Sequence, residues 1–246
     1  MLGLPDSVTA CLFDLDGVLT KTAVVHERAW KQMFDDYLRS RADASGEKFV
    51  AFEQHDYDAY VDGKPRYDGV RDFLVSRGIE LPEGPEDAAP GDESIHGLGN
   101  RKNELVLEMI RKDGVDPYEG SVRYLKSARD QGLRRAVVSS STNCQDVLQA
   151  AGIEEFIEER IDGVVAEQEK LAGKPAPDTY LYAAKRFGVE PSQAAVFEDA
   201  LAGVESGRAG DFGCVVGVNR VGQRDELKQH GADIVVDDLS ELLDSK

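Results

Sequence analysis

Two aspartates separated by a single leucine close the first apolar run of the chain. In CLFDLDGVLT, residues 11–20, Asp14 and Asp16 follow Cys11, Leu12 and Phe13. An extended backbone sends side chains two apart to the same side, so the two carboxylates stand together. Carboxylates that close repel, which raises the pKa of one of them, and a divalent cation relieves the repulsion. Other apolar runs end on groups of matching chemistry: RRAVVSSS carries Ser139, AAVFED ends in Glu198 and Asp199, and AGKPAPD between them carries Lys174. Asp14, Asp16, Glu198 and Asp199 offer an all-oxygen site. Such a site suits Mg²⁺, which takes one or two carboxylates plus water and substrate phosphate. With a lysine as a point positive charge and a serine hydroxyl, the set points to phosphoryl transfer. One aspartate can act as nucleophile through an acyl phosphate, while the other moves protons. Each motif alone has an ordinary reading, since Ser139–Ser141 and Glu198–Asp199 are also what helix N-termini favour. Their shared position at the ends of apolar runs is what singles them out.

The elements that must hold these residues can be read from periodicity. Residues 8–14 are expected to form a strand. Residues 24–39, VVHERAWKQMFDDYLR, place Val25, Ala29, Trp30, Met33, Phe34, Tyr37 and Leu38 on one helical face. Residues 47–81 read as broken helix, interrupted by VDGKPRYDG, and the proline- and glycine-rich LPEGPEDAAPGDES reads as a loop. Past residue 115, the runs RRAVVSSS, IDGVVA, AAVFED, CVVGV and DIVV read as strands alternating with helices, one of them from about Pro177 to Phe187. This alternation predicts an α/β fold, a Rossmann-like parallel sheet with crossover helices, and a mostly helical insertion after the first strand. In such sheets ligands bind at the carboxyl ends of the strands, where the singled-out residues lie.

Composition narrows the partners. The chain has 29 Lys+Arg against 47 Asp+Glu, a net charge of -18, without a basic patch, so nucleic acid and anionic membranes are not expected partners. No apolar run approaches the ~20 residues of a membrane span, and MLGLPDSVTA lacks the pattern of a signal peptide. Cys11, Cys144 and Cys214 are widely spaced and odd in number. They are expected to be free thiols of a cytoplasmic protein.

The ordered set FDLDGVLT, VVSSS, GKPAPD and FEDALAG resembles the haloacid dehalogenase superfamily of phosphotransferases. The resemblance implies Asp14 as nucleophile, Asp16 as general acid and base, and Ser139 and Lys174 as the phosphoryl grip. It also implies one Mg²⁺ held by Asp14, the Asp16 backbone carbonyl, Glu198 and Asp199. Residues 1–21 and 114–246 would then be the core domain and residues 22–113 its α-helical cap. Within the cap, TAVVHERAWK, VDGKPRYDGV and NRKNELVLEMI are similar to the β-phosphoglucomutase subfamily. That likeness implies substrate contacts from His26 at the hinge, Arg66 on a distal phosphate and Lys102, with Asn103 beside it. In the core, SSSTN adds Ser141 and Asn143. Thr142 stands where these mutases carry a cation, Lys21 where an aspartate is frequent, and the 81–94 loop is longer than in compact bacterial relatives. The implied activity is interconversion of β-D-glucose 1-phosphate and glucose 6-phosphate by a monomer, with glucose 1,6-bisphosphate as activator. The alternatives are a sugar-phosphate phosphatase on the same core and, more remotely, a catalytically silent binding module.

Overall fold

A computed structural model describes residues 2–46 and 48–243. The chain divides into two compact units, Met1–Thr22 with Val115–Lys246, and Ala23–Gly114.

The first unit is built on β1 (Ala10–Phe13), β2 (Arg134–Val138), β3 (Glu159–Ile161), β4 (Ala194–Glu198), β5 (Cys214–Val218) and β6 (Ile234–Val236). They form one sheet in the order β3-β2-β1-β4-β5-β6, parallel throughout. Every residue of β1 and β4 is buried, because crossover helices cover both faces of a parallel sheet. That is why these strands read as unbroken apolar runs. Leu12, Val138, Val196, Tyr180 and Phe212 pack in one layer. Phe13 stacks on Phe197 at 4.5 Å between centroids, and Tyr124 meets both rings edge-on. Strand order reverses at β1, with β2 on one side and β4 on the other, so the crevice of the switch point opens at the ends of β1 and β4.

One strand differs from its expected place. IDGVVA does not form a strand beyond Ile161. The Asp162 carboxylate accepts from the Val165 N–H at 3.0 Å and caps a helix over Gly163–Glu169. The two valines occupy its first turn because the N-cap competes successfully with strand pairing.

The second unit is helical: α1 (Ala23–Ser45), α2 (Gln54–Tyr60), α3 (Arg66–Ser76) and α4 (Ile95–Asp113). Its core is aromatic. Phe34 lies 5.3 Å from Trp30, 5.0 Å from Phe52 and 4.2 Å from Phe73. The 81–94 loop is pinned to these helices. The Asn100 amide donates to the Glu86 and Ala88 carbonyls, each at 3.0 Å, and Arg71 grips Glu83 at 3.0 and 2.9 Å. Among the described residues no helix is long and apolar enough to cross a membrane.

All three cysteines are free and buried in the first unit. Burial lifts each thiol above its usual range, Cys214 to about 11. Since the thiolate is the reactive form, the native protein should release no colour from a thiol-exchange reagent at pH 8, and three equivalents in denaturant. A rapidly reacting thiol in the native state would contradict this packing.

Candidate active site

The ends of β1 and β4 bring three charged side chains together. Lys174 reaches in from the segment that precedes α8 (Asp178–Phe187). Its Nζ lies 2.5 Å from Asp14 Oδ1 and 2.5 Å from Glu198 Oε1, and 3.2 Å from the Val138 carbonyl. All three side chains are buried. Burial works against the ammonium, but Asp14 and Glu198 outweigh it and lift the lysine above its usual range, so it stays charged. Burial lifts the Asp14 carboxyl well above the ordinary aspartate range, with Lys174 opposing and Glu198 and Asp16 adding. A further cation beside these carboxylates would favour the ionised form of Asp14.

Carboxylate oxygens of Asp14, Glu198 and Asp199 lie within 4.8 Å of one another. Glu198 Oε1 is occupied by Lys174 and by the Tyr180 hydroxyl at 2.7 Å. Its other oxygen, Oε2, is buried without a hydrogen-bond partner among the described residues. A buried acceptor left open beside two more carboxylates fits a hard divalent cation.

Asp16, expected beside them, is not one of these clustered carboxylates. The chain turns at Gly17, whose φ is +87° and whose N–H donates to the Thr20 carbonyl at 2.8 Å. A Cβ on Gly17 would lie 1.7 Å from Asp199 Oδ2, so glycine serves both the turn and the close approach. Thr22, buried and 2.7 Å from Thr20 Oγ1, donates its hydroxyl to Asp16 Oδ1. Ser139 is buried at the end of β2. Its hydroxyl accepts from the Ser141 N–H at 3.1 Å, and Ser141 Oγ accepts from the Asn143 N–H at 3.1 Å. The run thus folds on itself before α6 (Cys144–Ala150), with Asn143 as the residue preceding that helix.

Three expected contacts lie in the helical unit. His26 on α1 and Lys102 on α4 meet at 2.9 Å between Nδ1 and Nζ. The lysine is buried, with its ammonium 4.9 Å from the Trp30 ring, although a charged helix face gives no sign of burial. Arg66 opens α3. Its Nη2 donates to the Tyr67 hydroxyl at 3.2 Å, while Nε is buried without an acceptor among the described residues.

Tyr180, Arg220 and Gln223, which carry no motif, also touch this machinery, as does Thr22, which opens TAVVHERAWK without a role of its own there. Tyr180 sits on an apolar helix face, where spacing marks only core. The others act through hydroxyl, guanidinium or amide contacts that no periodicity announces.

A family profile for haloacid dehalogenase-like hydrolases matches residues 8–211. The chain is 56% identical over 247 residues to β-phosphoglucomutases of Mycobacterium bovis and Mycobacterium tuberculosis, covering 99% of this chain and 94% of theirs. It is 30% identical over 209 residues to a fructose-1-phosphate phosphatase of Escherichia coli, covering 83% and 93%. Among solved structures, a β-phosphoglucomutase from Clostridium difficile shares the fold with a TM-score of 0.73 at 24% identity, over 96% of this chain and 93% of that one. The buried Asp14–Lys174–Glu198 cluster on this sheet, and the profile that spans it, place the chain in the haloacid dehalogenase-like hydrolase family.

Proposed function

We propose that this chain is a Mg²⁺-dependent β-phosphoglucomutase, converting β-D-glucose 1-phosphate to glucose 6-phosphate through a phosphoaspartate on Asp14. The observation that carries the reading is the identity of 56% with proteins of that name over almost the whole length, joined to a buried aspartate held by a charged lysine.

Each half-reaction follows from the residues. Asp14 attacks phosphorus, forming the acyl phosphate as the bond to the sugar oxygen breaks, and Asp16 gives that oxygen its proton. In the reverse sense Asp16 takes the proton of a sugar hydroxyl as its oxygen attacks the phosphoaspartate. The 6-hydroxyl of β-glucose 1-phosphate gains the phosphoryl group to give the 1,6-bisphosphate. After the bisphosphate turns round, its 1-phosphate returns to Asp14 and glucose 6-phosphate leaves. Glucose 1,6-bisphosphate loads Asp14 at the start. Lys174 and Ser139 hold the phosphoryl oxygens, and Ser141 and Asn143 shape the turn beside them. Asp14, the Asp16 backbone carbonyl, Glu198 and Asp199 would hold one Mg²⁺, which supplies positive charge against the phosphoryl oxygens when bound.

A mutase needs a grip on the phosphate that is not reacting. We assign it to Arg66 in the helical unit, taken as the cap, with Lys102 and its partner His26 supporting the sugar phosphate. The open Arg66 Nε and the fork beside it suit a phosphate. Arg66→Ala should lower mutase turnover by about 100-fold and leave hydrolysis of acetyl phosphate within about twofold, because acetyl phosphate has no second phosphate to hold. Equal losses in both assays would make Arg66 structural.

The second reading, a sugar-phosphate phosphatase, is favoured by the likeness to the fructose-1-phosphate phosphatase and by Thr142, which supplies no charge beside Ser141. Incubation with β-glucose 1-phosphate, Mg²⁺ and a trace of glucose 1,6-bisphosphate separates the two. Glucose 6-phosphate without inorganic phosphate supports the mutase, and free phosphate at a comparable rate contradicts it. We further propose that the enzyme works in the cytoplasm, a reducing compartment that its buried free thiols suit, and that it acts as a monomer.

A further inference from the structure

The loop after β5 holds none of the motif residues, yet two of its side chains reach the two turns that do. Arg220 Nε donates to the Gly17 carbonyl at 2.6 Å, one residue past Asp16. Its Nη1 donates to the Asp237 carbonyl at 2.8 Å, and the guanidinium lies flat on Tyr118, 3.5 Å from the ring centroid. Gln223 Nε2 donates to the Asp199 carbonyl at 2.9 Å. The loop is anchored from behind, since Asn219 and Arg224 both bond Asp237 Oδ1, at 2.7 and 2.8 Å.

The two turns it reaches are the pair that nearly collide, as the absent Cβ of Gly17 shows. Asp14 and Asp16 flank one peptide path, Asp199 ends the other, and they follow different strands. Sheet pairing fixes the two strand ends as far as Asp14, whose N–H donates to the Phe197 carbonyl at 2.9 Å, so beyond them each turn depends on the side chains that brace it. A guanidinium pinned by two carbonyls and a ring has few rotamers left, so it fixes the peptide it grips. A single amide on the Asp199 carbonyl does the same for the second turn.

We propose that residues 219–223 are a positioning element for phosphoryl transfer, in which Arg220 sets the turn that carries Asp16 and Gln223 sets Asp199. Neither side chain touches the reacting atoms. The inference rests on the roles proposed above for Asp16 and Asp199.

The test uses the whole protein, Mn²⁺ as the probe and electron paramagnetic resonance as the readout of metal binding, alongside turnover of acetyl phosphate. Gln223→Ala should weaken Mn²⁺ binding by about tenfold, the effect usual for groups that orient metal ligands. Arg220→Ala should lower kcat by about tenfold with KM within twofold, and Arg220→Lys should recover part of that loss. If the wild type binds no Mn²⁺, the metal reading itself fails. Should the wild type bind it and both alanine variants keep Mn²⁺ affinity and kcat within twofold, the positioning role is overturned. Were Arg220→Ala not to fold, Gln223→Ala decides alone: weakened Mn²⁺ binding supports the proposal, and unchanged binding overturns it.

Discussion

Replacing Asp14 with asparagine should abolish turnover, by on the order of 10⁴-fold or more, without unfolding the protein. The first half follows from the role proposed for Asp14 as nucleophile, since an amide does not form the acyl phosphate. The second follows from the charges at the site. Asp14 and Glu198 are two buried carboxyls around the one ammonium of Lys174, so full ionisation leaves one negative charge in excess. Asparagine removes it and leaves Lys174 paired with Glu198. The raised Asp14 pKa carries the same message. A carboxyl whose folded pKa lies above its unfolded value stabilises the fold at low pH, and that contribution is lost as pH rises through the folded value. Above the unfolded value and without metal, the carboxyl therefore lowers stability in a way that the neutral amide would not. Thermal unfolding in a chelator should show Asp14→Asn at least as stable as the wild type. A variant that loses activity because it unfolds would show that Asp14 holds the fold instead.

Lys174→Met should do the opposite. It removes the only cation bonded to both Asp14 and Glu198 among the described residues and leaves two buried carboxylates facing one another. Breaking a buried pair in this way costs about 3–5 kcal/mol, which for a protein of this size lowers the melting temperature by about 6–20 °C. Two rescues should follow. Mg²⁺ should recover part of the loss, because a divalent cation can replace the missing charge among Asp14, Glu198 and Asp199. Lowering the pH should also narrow the gap to the wild type, because the two carboxyls, without their cation, take up protons more readily in the folded state than in the unfolded one. Turnover should remain about 10²–10³-fold down even with Mg²⁺, since the lysine proposed to hold the phosphoryl oxygens is gone. A melting temperature unchanged in chelator would mean that Lys174 is not the charge that balances this site.

The parallel sheet is legible because β1 and β4 are buried on both faces, so their sequences are apolar without interruption, and the polar residues that follow stand out. That is how Asp14, Ser139, Glu198 and Lys174 could be picked out before any contact was known. IDGVVA misled because two β-branched residues outvoted one aspartate, whose side chain starts a helix instead. The burial of Lys102 is not legible, because periodicity gives the face of a helix but not what stands against it. Here His26 and Trp30 bury it from α1, 76 residues earlier in the case of His26. Arg220 and Gly17 lie 203 residues apart, and a single contact at that separation leaves no repeating trace. Asp14, Ser139 and Glu198 stand at strand ends and can be found by type, as can Lys174 in the segment before α8. The side chains that aim them come from loops and core faces, where residue type says little.

Whether sugar or water accepts the phosphoryl group is the central question, and the phosphoenzyme answers it directly. Asp14 is loaded with radiolabelled acetyl phosphate and Mg²⁺, then chased within milliseconds by buffer or by β-glucose 1-phosphate, and the released label is resolved by chromatography. The account predicts that the chase diverts the label into glucose 1,6-bisphosphate, that the Arg66→Ala variant loses this diversion, and that Asp14→Asn carries no label at all. Label that emerges as inorganic phosphate at the same rate with and without the sugar phosphate would contradict it.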